Sequence, residues 1–197
     1  NSKMYALPQS VEATALTYNK TLIARLGLDV PRTRAEFVAL CEAALDANLI
    51  PVAFGYSGVN ILLNWYVEHY LTTYCGADVI RELLQGTRPF NDPIIRGAFE
   101  LMKADWDAGY IGGRRSAATP LNEAREQFTR QQAVMNFEGA WLTLVDTAPG
   151  TWSFDWGQTI WPSMREAVPP APAISLREAP GIPPPSSPAH PSAATNT

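Results

Sequence analysis

Long apolar runs are missing from these 197 residues. No stretch approaches the ~18–20 consecutive apolar residues that a membrane span requires. Charge of one sign is also scarce. The net charge is -4, which argues against the basic surface that nucleic-acid binding needs. The paired arginines of Gly112-Gly113-Arg114-Arg115 read as a solvated loop. There are only two cysteines. Cys41 and Cys75 fit neither a zinc spacing nor a CxxC redox motif and read as buried free thiols. A disulfide stays open if the protein is exported. Of the two histidines, His190 lies in a proline-rich end. A Ser-His-Asp or Cys-His device would therefore have to use His69, which sits in an aromatic helix with no activated nucleophile beside it. No glycine-rich phosphate loop, HExxH or G-x-S-x-G elbow occurs. No cofactor and no metal are expected.

What is present is apolar material for a core. Hydrophobic residues make up 46% and charged residues 17% of the chain. Thr14 to Tyr18 reads as a strand, after which Asn19 can cap a helix from Lys20 to Leu26. Thr33 and Glu36 form a capping box ahead of a helical stripe of Phe37, Leu40, Cys41, Ala44 and Leu45. Ile50 to Phe54 reads as a buried strand. An aromatic helix from Asn60 to Tyr74 and a short one from Ala77 to Gln85 follow. Asp92-Pro93 starts a helix through Phe99, Met102 and Trp106. Thr119-Pro120 repeats that signal for a helix ending near Arg130. Ala133 to Phe137 is a strand, Ala140 to Thr147 a helix, and Phe154 to Ile160 a last strand. Interleaved helices and strands give the class α/β, with helices around a short mixed sheet.

Beyond Met164 the character changes. Nine of the 17 prolines lie between Pro169 and Pro191 and periodicity is lost, so residues 165–197 are expected to be a disordered tail after a folded unit of 1–164. A linker and an out-of-frame reading both remain open for it. At the other end, Asn1-Ser2-Lys3-Met4 has neither the charged start nor the apolar stretch of a signal peptide. The chain is expected to be a piece of something longer.

Three ordered stretches resemble one family. "YALPQSVEATALTYNKTLIARLGLDVPRTRAEF" resembles the crossing segment of extracellular solute-binding proteins of sugar ABC importers, the maltose-binding-protein-like family. Arg34 stands where that family usually has tryptophan. A second pattern runs through Phe128, Ala133, Met135, Gly139 and Trp141, with Gln131 in place of a glycine. A third is Gly157 to Pro162. The resemblance implies a type II periplasmic-binding-protein-like lobe, the second of two. It also implies an extracellular or periplasmic protein, with a lipoprotein anchor in the full-length precursor. The partners implied are a carbohydrate ligand and membrane permease subunits, and the protein is expected to be a monomer.

The residue types suit a sugar. An aromatic plate covers the C–H face of a pyranose, while carboxylates and amides take the hydroxyls at its rim. Trp141, which follows Gly139 at a strand end, is the leading candidate plate; Gly139 is expected to permit a sharp turn that aims the ring outward. Glu12 is the acid that the resemblance assigns to sugar hydroxyls. Tyr56, Asn60, Asn64 and Trp65 are further candidates around the start of the aromatic helix, and Trp161 is one at the return crossing. Tyr66, Tyr70 and Tyr74 read as packing. The competing reading is a glycoside hydrolase using two of Glu12, Glu138 and Asp155. A third reading is a fragment with no activity of its own.

Overall fold

The structure is a computed structural model that describes residues 13–57, 60–112, 119–142 and 152–169. Its frame is a mixed sheet of β1 (Thr14–Asn19), β2 (Ile50–Ala53), β3 (Ala133–Gly139) and β4 (Trp156–Thr159), ordered β2-β3-β1-β4. β3 is parallel to β2 and antiparallel to β1, and β1 is antiparallel to β4. The C-terminal ends of β2, β3 and β4 and the N-terminal end of β1 therefore share one edge, the rim. All seven residues of β3 are buried. A strand paired on both sides and covered on both faces is buried along its whole length, its polar Asn136 and Glu138 included.

Three helices start where short polar side chains can take free backbone N–H groups. Asn19 accepts from the Leu22 N–H at 2.9 Å and caps α1 (Lys20–Arg25). Thr33 and Glu36 complete the capping box of α2 (Arg34–Asp46), and Asp92 caps α5 (Pro93–Asp107) by accepting from Ile94. α3 spans Asn60–Cys75 and α4 spans Ala77–Leu84. α6 (Leu121–Thr129) departs from the expected start. Pro120 itself occupies the cap position in extended backbone, and no side chain caps the helix. A proline there still fits, because it has no N–H to satisfy. The expected helix from Ala140 to Thr147 falls largely on residues 143–151, outside the described residues. Cys41 and Cys75 are both buried and unpaired.

Arg34 proves to be a core-pinning residue. Its guanidinium donates to both carboxylate oxygens of Asp105 on α5, at 2.6 and 2.5 Å, and Tyr70 of α3 donates to the same carboxylate at 2.6 Å. Asp105 is only 1% exposed. A carboxylate buried this deeply is tolerated only when a cation and further donors surround it. The trio ties α2, α3 and α5 together. At the far end Arg165 donates from Nε to the Tyr74 carbonyl at 2.7 Å, with its guanidinium 5.6 Å from the Tyr74 ring. The described chain thus still makes contacts one residue past Met164, and residues 170–197 lie outside the described residues.

Gln131 explains one departure from the family pattern. It follows the C-cap of α6 with φ at 58°, the left-handed region that glycine adopts without strain and other L-residues adopt at a cost. Gln131→Gly should raise stability by about 0.5–1 kcal/mol, the left-handed penalty less the extra freedom glycine has when unfolded. Chemical denaturation of both proteins checks this, and a loss of stability would contradict it.

Candidate functional site

The rim is where β3 delivers Glu138, Gly139, Ala140 and Trp141. Gly139 is a buried strand residue opposite Thr14, and it is not among the glycines with positive φ. The expectation of a turn made possible by glycine is thus corrected to one of space. A Cβ at Gly139 would lie 2.1 Å from carbons of the Trp141 ring. The ring folds back over the strand end, into the place a side chain would fill. Its other support is Trp65 of α3, with ring centroids 5.6 Å apart and planes at 68°. Trp141 stays partly exposed. The turn behind it is fixed by two bonds: the Ala140 N–H donates to the Ala13 carbonyl at 2.7 Å, and the Gln158 amide donates to the Ala140 carbonyl at 3.2 Å.

Two polar contacts lie beneath this corner. Thr14 Oγ1 and His69 Nε2 are 2.5 Å apart, and the imidazole meets Phe137 edge-on and stacks on Trp161. Burial pushes the His69 pKa down to about 4, so at neutral pH the ring is uncharged. Glu138, 1% exposed, is held by Arg125 of α6, whose Nε donates to Oε2 at 2.9 Å and whose Nη2 reaches Oε1.

The other expected site residues fall in different places. Tyr56 sits just beyond β2 but away from the Trp141 corner: its ring lies 5.6 Å from Phe54 and 6.2 Å from Trp106. With Leu63, Tyr66, Met102, Lys103, Trp106 and Asp107 it lines an open cavity of about 410 Å³ between α3 and α5. Asn64 is exposed on α3. Glu12 and the side chain of Asn60 lie outside the described residues. Trp161 must be corrected as a plate. It is 3% exposed, with Phe137, Tyr70 and Phe37 rings 5.2, 5.5 and 5.9 Å away. Two residues past β4 the chain has turned inward, so the indole fills the core.

Three residues near the site escaped the sequence reading. Trp106 reads as one more member of the apolar stripe of α5, His69 as a packed or half-exposed residue, and Arg125 carries no reading of its own. For Trp106 the signal was its place at the end of an amphipathic helix, where a large ring overhangs the last turn. For Arg125 no local signal exists, because Glu138 is 13 residues away. Among the described residues, no group of three His, Cys, Asp or Glu side chains could hold a metal ion.

A model of the bacterial extracellular solute-binding protein family matches residues 1–183. The chain belongs to that family. It is 29% identical over 147 residues to the multiple sugar-binding protein of Streptococcus mutans, covering 72% of this chain and 34% of that one. It is 28% identical over 155 residues to an uncharacterised ABC transporter extracellular-binding protein of Pyrococcus horikoshii, covering 74% and 35%. The chain thus spans about a third of the length of these curated relatives. Among solved structures, a chitin oligosaccharide binding protein superimposes with a TM-score of 0.65 at 22% identity, covering 78% of this chain and 38% of that one. This likeness fixes the solute-binding fold as periplasmic-binding-protein-like, type II. In an open α/β sheet of this kind, ligands lie outside the carboxyl ends of the strands, and the rim with Trp141 is such an end.

The contact at Gly139 makes a sharp prediction for this solute-binding protein. Gly139→Ala should expel the Trp141 ring from its seat, shifting tryptophan fluorescence and near-UV dichroism, at a stability loss of about 1–3 kcal/mol for overpacking. Spectra identical to those of the unaltered protein would contradict the close contact.

Proposed function

We propose that this chain forms one wall of a carbohydrate-binding cleft, in a receptor that hands its ligand to the permease subunits of an ABC importer. The receptor works outside the cytoplasmic membrane, in the periplasm or anchored to the cell surface as a lipoprotein, and acts as a monomer. The observation that carries this reading is the partly exposed Trp141 ring, seated on Gly139 and braced edge-on by Trp65 at the carboxyl rim of the sheet. A plate held rigidly before binding loses little freedom when a sugar face covers it. The relatives add support: the S. mutans protein is named for binding multiple sugars and the P. horikoshii protein for its ABC transporter.

Capture without turnover fits the acids better than hydrolysis does. Glu138 is closed off by Arg125. Asp155 precedes Trp156, which pairs with Asn19, whereas Glu138 pairs with Ala15. Four residue steps of β1 separate these levels, about 13 Å at the rise of a strand. A hydrolytic pair needs its carboxyls within about 10 Å and flanking one bond.

The test is Trp141→Ala, read by ligand-observed NMR with raffinose, maltotriose and chitotriose as probes. Affinity for the bound probe should fall by about 1–3 kcal/mol, the scale of one stacking contact. The thermal midpoint should barely change, because the ring is partly exposed. Unchanged affinity, or collapse of the fold, would refute the role assigned to this ring.

A further inference from the structure

Trp141 stands on two supports from different parts of the chain. One is the strand end at Gly139, where the ring takes the place of a Cβ. The other is Trp65 of α3, with ring centroids 5.6 Å apart. The plate keeps one orientation only if these supports keep one spacing. Gly139 is the register partner of Thr14 on β1, and residues directly opposite in a sheet share a face. The Thr14 side chain therefore lies on the face that the Trp141 ring covers. His69 follows Trp65 by four residues, one turn along the same side of α3. It brings Nε2 to 2.5 Å from Thr14 Oγ1. Gly139, Trp141, Trp65, His69 and Thr14 thus form a closed circuit, and its side-chain polar link is Thr14–His69. We propose that His69 is a positioning residue for the ligand plate, holding the end of β1 to α3 so that the Trp141 ring stays seated between Gly139 and Trp65. This rests on the carbohydrate reading above and adds a residue that acts on the plate from behind.

The imidazole is itself held in place. It meets Phe137 of β3 edge-on at 5.3 Å and stacks on Trp161 at 6.1 Å. The Thr72 and Thr73 hydroxyls donate to the His69 carbonyl at 3.2 and 2.5 Å. A ring fixed in this way resists movement of the strand end bonded to it. Its surroundings also set its charge. β1, β3 and the segment after β4 turn Thr14, Phe137 and Trp161 towards it, and none of these is charged. The titratable side chains beside it on α3 are exposed Glu68 and buried Tyr66 and Tyr70. Tyr70 donates to Asp105, which is paired in turn with Arg34. Burial lowers the His69 pKa from 6.5 to about 4, so the folded protein takes up this proton later than the unfolded chain does. The stability that the neutral ring contributes is whole above about pH 6.5 and is lost as the pH falls towards 4.

The test reads two quantities on the full chain: the indole N–H signal of Trp141, and affinity for raffinose, maltotriose and chitotriose, none of which titrates. Thr14→Val removes the hydroxyl and keeps the shape. His69→Leu removes the imidazole. His69→Gln keeps an amide that can reach Thr14 and has no proton to gain. At neutral pH, Thr14→Val and His69→Leu should each move the Trp141 signal and weaken the bound probe about three- to tenfold, the scale of one hydrogen bond. The double variant should lose no more than either alone, and His69→Gln should keep both signal and affinity. On acidification from pH 6.5 to 4 the Trp141 signal should titrate in the unaltered protein and stay level in His69→Gln. Should His69→Leu fail to fold in thermal melts, Thr14→Val and His69→Gln decide. A Trp141 signal unmoved by Thr14→Val, or losses that add in the double variant, would overturn the positioning role. If no saccharide binds the unaltered chain, the carbohydrate reading fails, and the Trp141 signal still decides whether His69 holds the ring.

Discussion

The site depends on a missing side chain. Trp141 occupies space that any Cβ at Gly139 would claim, at 2.1 Å. That contact holds only because β3 is rigid, and β3 is rigid because it is buried along its length and bonded to β1 and β2 on either side. A close-packed interior resists even small displacements, so the ring stands on a fixed base. Trp65 then limits the remaining direction of movement. An aromatic plate built this way is in place before any ligand arrives.

Charge is used in the same frame to hold elements together. Glu138 at the end of β3 is tied to Arg125 on α6, and Asp105 on α5 is tied to Arg34 on α2 and Tyr70 on α3. Each carboxylate is 1% exposed. Buried charges are strongly destabilising when left single and near neutral when paired, so each pair fixes which helix sits against which element. His69 is kept neutral by burial and packs as an uncharged ring. Beside this scaffold Trp141, Trp65 and Tyr56 are only partly buried, which is why the proposed ligand contact is sought among them.

Much of the fold was legible in the sequence because its signals are local. The capping pairs Thr33–Glu36 and Asp92–Pro93 lie within one turn, and the helices begin where they point. The cap of α6 was misplaced by one residue because Thr119-Pro120 imitates Asp92-Pro93 in type, and only the backbone shows that Pro120 precedes the helix. The position of Trp141 at the rim followed from the order of strand, glycine and aromatic. The physical role of Gly139 did not, since it depends on where a ring two residues away folds. Trp161 misled for a related reason: a tryptophan after a strand end has the same local pattern whether the chain turns outward or inward. Arg125–Glu138 and Arg34–Asp105 were illegible, because partners 13 and 71 residues apart meet only through the tertiary fold.

The most direct measurement is the NMR signal of each indole N–H, assigned by single substitution of the six tryptophans, during titration with an oligosaccharide that binds. The Trp141 and Trp65 signals should move with the ligand while that of the enclosed Trp161 stays put. A ligand that binds without moving the Trp141 signal would show that the rim ring is not the contact.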